Sequence, residues 1–185
     1  MSVNSFTITK NDRLPILSRI LTLVDGDSDL ASSTVTFTMY DSAGTAKVSA
    51  ASCTAQPGAT FTVSASTDYA TINAHGLQNG QEVLLSSAGT IPAPLSATTR
   101  YFVRNREPNR FQFALSPDGP IIDLTDTGTG AHTLKAVGHV TYAWAAADVD
   151  TAGTYQGWFS VTTSSKVSRW PNDSDGIAII IEDVP

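Results

Sequence analysis

Residues 140–161 read VTYAWAAADVDTAGTYQGWFSV, and this stretch decides how the rest of the chain is read. Thr141, Tyr142, Ala143 and Trp144 alternate small or polar with aromatic side chains. Alternation with a period of two marks a half-buried strand. Gln156-Gly157-Trp158-Phe159-Ser160-Val161 is the next strand. Between them lies Asp150-Thr151-Ala152-Gly153-Thr154-Tyr155, an acid, a glycine and then a tyrosine that opens a strand. The whole therefore reads as strand, corner, strand.

The composition agrees with a β protein. Among 185 residues, 41% are hydrophobic and only 15% charged, with Ser, Thr and Asn supplying most of the polarity. With 13 Gly and 9 Pro, turns are plentiful. No window holds helical periodicity, and Ala145-Ala146-Ala147-Asp148 offers one turn at most. A net charge of −6 disfavours nucleic acid and anionic membranes as main partners, because both select a basic face. A single cysteine, Cys53, allows no intrachain disulfide and fits folding in a reducing cytosol. The polar start, Met1-Ser2-Val3-Asn4, carries no signal-like apolar region, and no run approaches the ~18 apolar residues of a membrane span.

Two styles of sequence alternate along the chain. The first end segment, residues 1–53, holds alternating runs at Phe6–Thr9, Leu14–Leu23, Val35–Tyr40 and Lys47–Ala50. The last, residues 136–185, holds the opening stretch, Lys166–Pro171 and the strongly apolar Ile177–Ile181. Residues 54–135 have a shorter rhythm, with runs at Phe61–Val63, Tyr69–Ile72, Glu82–Leu85, Arg100–Val103, Arg110–Leu115, Ile121–Leu124 and His132–Leu134. Together the ends supply about seven strands, the number of an immunoglobulin-like sandwich, and neither end does so alone. The corner resembles the tyrosine corner of such sandwiches, which implies that the Tyr155 hydroxyl bonds backbone upstream. The cysteine that an immunoglobulin domain carries two residues after this tyrosine is replaced by Gly157. The expected fold is thus all-β: a discontinuous immunoglobulin-like sandwich (1–53 plus 136–185) interrupted by a small β-barrel or sandwich (54–135). Such an insertion is tolerated at a hairpin, where the chain ends lie close together.

The end segments resemble the N-terminal domain of baseplate upper proteins of tailed bacteriophages. The resemblance is carried by Ile8-Thr9-Lys10-Asn11-Asp12-Arg13-Leu14-Pro15, Asp25-Gly26 with Asp29-Leu30, Val35–Met39 and Val140–Trp144. Its most distinctive block is Asp148–Tyr155, followed by Trp170-Pro171 and Ile179–Ile181. The middle looks like a small module that recurs in phage virion proteins. Its marks are His75-Gly76-Leu77-x-Asn79-Gly80, Gly89–Ala93, Leu95-Ser96, Tyr101–Val103, Phe111–Phe113 and Gly128–Thr133. Typical members carry a further C-terminal region with the receptor-binding part. This chain stops at Pro185, just after the last sandwich strand, which shifts the expectation toward an adaptor or decoration role.

Candidate sites are few. His75, His132 and His139 stand near no nucleophile motif and show no metal-ligand spacing, so they are read as turn hydrogen-bonders. Asp25, Asp27 and Asp29 have the spacing of calcium ligands, but Thr36 stands where an EF-hand needs Glu. They are read as a solvated turn, as are Asn172, Asp173 and Asp175, with weak calcium binding as the alternative. Arg100, Arg104, Arg106 and Arg110 form the one basic cluster and fall on one hairpin, a candidate docking tip for an acidic neighbour or anionic glycan. Trp144 and Trp158 are expected in the core, and Trp170 is the better candidate for exposure. Asp150, Gly153 and Tyr155 are read as a structural corner.

The resemblance implies a non-enzymatic virion structural protein, assembled in the bacterial host cytoplasm without a cofactor. Its partners would be other virion proteins at baseplate, tail or head, in a symmetric or multi-copy assembly. The rival is a host-surface recognition module for carbohydrate or a receptor protein. Glycan hydrolysis is least favoured, since it needs two cooperating carboxylates in a cleft and the aspartates fall mostly in turns.

Overall fold

The computed structural model describes residues 5–21, 30, 32–164 and 166–183, and among these the regular structure is all β apart from one 3-10 turn, Ala146–Asp148. The strands before the middle segment are β1 (Ser5–Thr9), β2 (Leu17–Ile20), β3 (Thr34–Tyr40), β4 (Ala46–Ser52) and β5 (Thr54–Ala55). The middle holds β6 (Gly58–Ser64), β7 (Tyr69–Thr71), β8 (Glu82–Ser87), β9 (Tyr101–Arg104), β10 (Arg110–Ala114) and β11 (His132–Ala136). After it come β12 (His139–Tyr142), β13 (Gly153–Thr162), β14 (Val167–Trp170) and β15 (Ile177–Glu182).

Two compact units result: Met1–Gln56 with Gly138–Pro185, and Pro57–Val137. The boundaries lie beyond the 53 and 136 read from composition. The reason is β5: Thr54 and Ala55 pair with Thr141 and Val140 of β12, so they belong to the first unit. The Gln56 N–H continues the ladder by donating to the His139 carbonyl at 2.6 Å. The segment between β5 and β12 therefore leaves and returns on neighbouring antiparallel strands.

The first unit has two sheets. One runs β1-β15-β13-β3-β4, with β14 paired to β13; the other runs β2-β12-β5. All pairings are antiparallel except β1 with β15, where Phe6 faces Ile179 and Ile8 faces Ile181 in parallel register. Alternation decides what is buried. Val35, Phe37 and Met39 of β3, Tyr155, Phe159 and Val161 of β13, and Ile177, Ile179 and Ile181 of β15 all enter one core. Leu17, Val140 and Tyr142 of the smaller sheet complete it, which makes the unit a β-sandwich. Phe37 is fully buried and ties the sheets together, 5.2 Å from the Phe159 ring on its own sheet and 4.8 Å from Tyr142 across the core.

The middle unit is a closed six-stranded barrel of order β10-β7-β6-β11-β8-β9. Its core is a separate cluster that includes Phe61, Val83, Val103, Phe111, Phe113 and Leu134. Closure leaves no sheet edge to solvent. The expected strand at Ile121–Leu124 is not one. It makes a single bridge, Ile121 to Ala114, and the Leu124 N–H goes instead to the Asp68 carboxyl at 2.8 Å. Pro120 at its head has no N–H to offer a ladder.

Gly157 faces the sandwich core, and a Cβ there would come within 2.6 Å of the Phe37 ring. Gly157→Ala should therefore destabilise the sandwich by about 1–3 kcal/mol through overpacking, read as a lower urea midpoint with an unchanged slope.

Candidate functional site

The corner is built as its sequence suggests, but with a different acid at its centre. The Tyr155 hydroxyl donates to the Thr151 carbonyl at 3.0 Å, four residues upstream. Gly153 has φ of 155°, a conformation that residues with side chains rarely adopt. Asp150 is exposed and bonds Lys47 of β4 and the Thr151 hydroxyl, which holds its carboxyl below the usual range. The buried acid is Asp148, at the end of the 3-10 turn. Its Oδ2 accepts the Tyr142 hydroxyl at 2.6 Å and the Ala145 N–H at 2.7 Å. Burial first, and the Asp148 carboxyl second, push the Tyr142 hydroxyl well above its ordinary range. The corner is thus a closed bracket of two tyrosines and an acid, with structural work to do.

The outer face of the larger sheet carries a different arrangement. Along β13, Tyr155, Gly157 and Phe159 point inward, so Thr154, Gln156 and Trp158 point outward. Trp158 is buried, as expected, but on the outward side of the sheet; the core cluster between the sheets takes Trp144, with Trp170 half-buried against that cluster. Trp158 is only 7% exposed, because neighbours cover it. The Arg169 guanidinium of β14 lies over its ring at 4.1 Å. Tyr40 of β3 meets it edge-on at 6.1 Å. Gly176 (φ 65°) is tucked against the indole where a Cβ would sit 2.6 Å away, and the Asp173 carbonyl accepts the indole N–H at 3.4 Å. Beside this assembly runs an open groove of about 530 Å³, bounded further by Gln156, Thr154 and the β3–β4 turn at Asp41 and Ser42.

The arginine hairpin is largely spent on its own fold. Arg110 makes a two-pronged contact to Glu107 at 2.8 and 2.9 Å and sits over the Tyr69 ring at 4.4 Å. Arg104 donates to the Gly119 carbonyl at 2.8 Å, and Arg100 pairs with Glu82 at 3.1 Å. Arg100, Arg106 and Arg110 are all exposed, and among the described residues Arg106 has only its backbone N–H engaged, by the Asn79 side chain.

The histidines brace turns and strands. His75 Nδ1 accepts the Leu77 N–H, and its Nε2 donates to the Glu107 carbonyl at 2.8 Å. His132 contacts the Thr127 carbonyl and the Ser87 hydroxyl. His139 Nε2 meets the Ser18 hydroxyl at 2.8 Å across β12 and β2, and burial lowers its affinity for a proton. The Cys53 thiol is pushed up to about 12 by burial and stays protonated. Asp25, Asp27 and Asp29 lie outside the described residues. Asp173 spends Oδ1 on the Gly176 N–H at 2.8 Å. Among the described residues no three of His, Cys, Asp or Glu converge as a metal site would require.

Compared with family models, with curated proteins and with solved structures, the chain matches none.

Two tyrosines test the corner. Tyr155→Phe should cost about 1 kcal/mol, and Tyr142→Phe about 1.5–3 kcal/mol because a buried carboxyl loses its partner; urea melts of both variants decide the order. His139 gives a pH dependence. The unfolded chain takes up this proton near pH 6.5, whereas the folded chain takes it up only at lower pH. Between the two values the unfolded state binds more protons, so this contribution is complete above the unfolded value and lost as pH falls through the folded one. The urea midpoint of His139→Gln should vary less with pH than that of the parent between about pH 5 and 7.

Proposed function

We propose that this protein is a non-enzymatic structural component of a tailed-bacteriophage particle, an adaptor or decoration module that binds other virion subunits in several copies. The observation that carries the reading is the strand order of the sandwich. A sheet β1-β15-β13-β3-β4 with a parallel first–last pair, facing β2-β12-β5 and holding Tyr155 at the start of β13, supports reading the sandwich as immunoglobulin-like. A closed barrel set between two neighbouring strands of that sandwich is the organisation that the phage resemblance implies.

The surface supports assembly better than turnover. Among the described residues β1 and β4 end one sheet and β2 and β5 the other, and end strands can pair with neighbouring subunits. Strand β4 is interrupted by a bulge at Ala50 (φ 46°), so the straighter edge is β1. Arg106 is an exposed cation of the arginine hairpin whose side chain no contact among the described residues engages, and it can meet an acidic subunit. Docking there rests on one arginine, not four.

Mass spectrometry of purified particles of the phage that encodes this chain provides the test. The protein should be present in fixed multiple copies per particle, and Arg106→Glu should reduce that number. Its absence from purified particles, with ample amounts free in the lysate, would overturn the reading.

A further inference from the structure

We propose that the groove beside Trp158 binds an acidic sugar residue, with the carboxylate on Arg169 and the hydroxyls on Asp41, Ser42 and Gln156. The inference is independent of where the chain sits and of whether it belongs to a particle at all.

Arg169 is the first reason. It is exposed, yet its guanidinium is held over the indole of Trp158 at 4.1 Å. Stacking of this kind restrains the side chain and leaves the N–H donors at its edge free, since the ring takes only the face. Among the described residues no carboxyl or carbonyl oxygen accepts from it. The other groove-forming contacts hold Trp158 in turn: Tyr40 at one edge, and the Asp173–Gly176 loop at another. The cation is therefore placed in advance, and little ordering cost remains when an anion arrives. A guanidinium fork matches a carboxylate in geometry as well as in charge.

The second reason is the nature of the remaining groups. Asp41 is the acid of the groove, and its Oδ1 accepts the Ala43 and Thr45 N–H groups at 2.9 and 2.8 Å. Those bonds fix the carboxyl in the β3–β4 turn and keep it from pairing with Arg169. Its Oδ2 remains to accept hydroxyl hydrogens. Gln156, Thr154 and Ser42 add neutral donors and acceptors, and Tyr40 adds an aromatic edge. A ligand with one carboxylate and several hydroxyls satisfies this set. An acidic peptide suits it less, because a second carboxylate meets Asp41 and a net charge of −6. The volume of about 530 Å³ falls within the range of small-molecule sites.

Titration of the full chain with sodium glucuronate, with N-acetylneuraminate and with glucose, followed by NMR at the Trp158 indole N–H and the Arg169 side chain, tests the proposal. At least one acid should bind at millimolar concentration and shift these signals, and glucose should bind at least about tenfold more weakly. Arg169→Gln should abolish the shifts at Trp158 while leaving the thermal midpoint near that of the parent. Tyr40→Ala should weaken binding severalfold and serves as the second variant should Arg169→Gln lose its fold. No shift with either acid, equal shifts with glucose, or tighter binding of a tetraglutamate peptide than of both acids would each overturn it.

Discussion

The sandwich depends on one ring, that of Phe37, lying over a position with no side chain. Phe37 on β3 fills the space above Gly157 on β13 and reaches Tyr142 and Trp144 on the opposite side of the core. Many two-sheet sandwiches span their core with a disulfide. Here the same span is bridged by aromatic packing: Phe37, Tyr142, Trp144 and Phe159 lie with ring centroids 4.8–5.9 Å apart. Such contacts add to the area that the rings bury and need no oxidant to form. Cys53, the one thiol, is half-buried with its proton retained and takes no part in holding the sheets.

Several polar groups among the described residues are committed to the chain's own turns and loops. Arg104 and Arg110 fasten the barrel, His75 and His132 brace its loops, and Asp148 closes the corner. The outer face of β13 differs. There a cation rests on an indole, beside a carboxyl whose second oxygen is open and three neutral polar side chains. The sandwich explains why that face is available at all: of two packed sheets, each buries one side only.

Local features were the legible ones. Tyr155 and Thr151 are four residues apart, so a corner could be inferred from the stretch itself. Alternation likewise marked β3, because burial on one face imposes a period of two, and an unbroken apolar run marked β15. The choice between Asp148 and Asp150 was not legible. It depends on the 3-10 turn, which carries Asp148 under Tyr142 and sends Asp150 outward to Lys47. Trp158 is buried as its sequence suggests, but not between the sheets: with Tyr155 inward, three residues on must face outward. Its burial comes instead from Arg169 and Gly176, distant neighbours that no window contains. The groove needs β3, β13 and β14 side by side, and the arginine hairpin needs Glu82, Glu107 and Gly119 in place. Both are products of packing.

Between Ala55 and Val140 the sandwich contains an ordinary antiparallel pair, opened to admit about eighty residues. Closing an unstructured loop of that length would cost roughly 4 kcal/mol in chain entropy. The barrel avoids most of this cost because its own first and last strands, β6 and β11, are paired, with Gly58 opposite Lys135. Seen genetically, the junctions at Gln56 and Gly138 are two cut points that a recombination event can use without disturbing either core. Any domain whose termini emerge at the spacing of adjacent strands would fit the same gap.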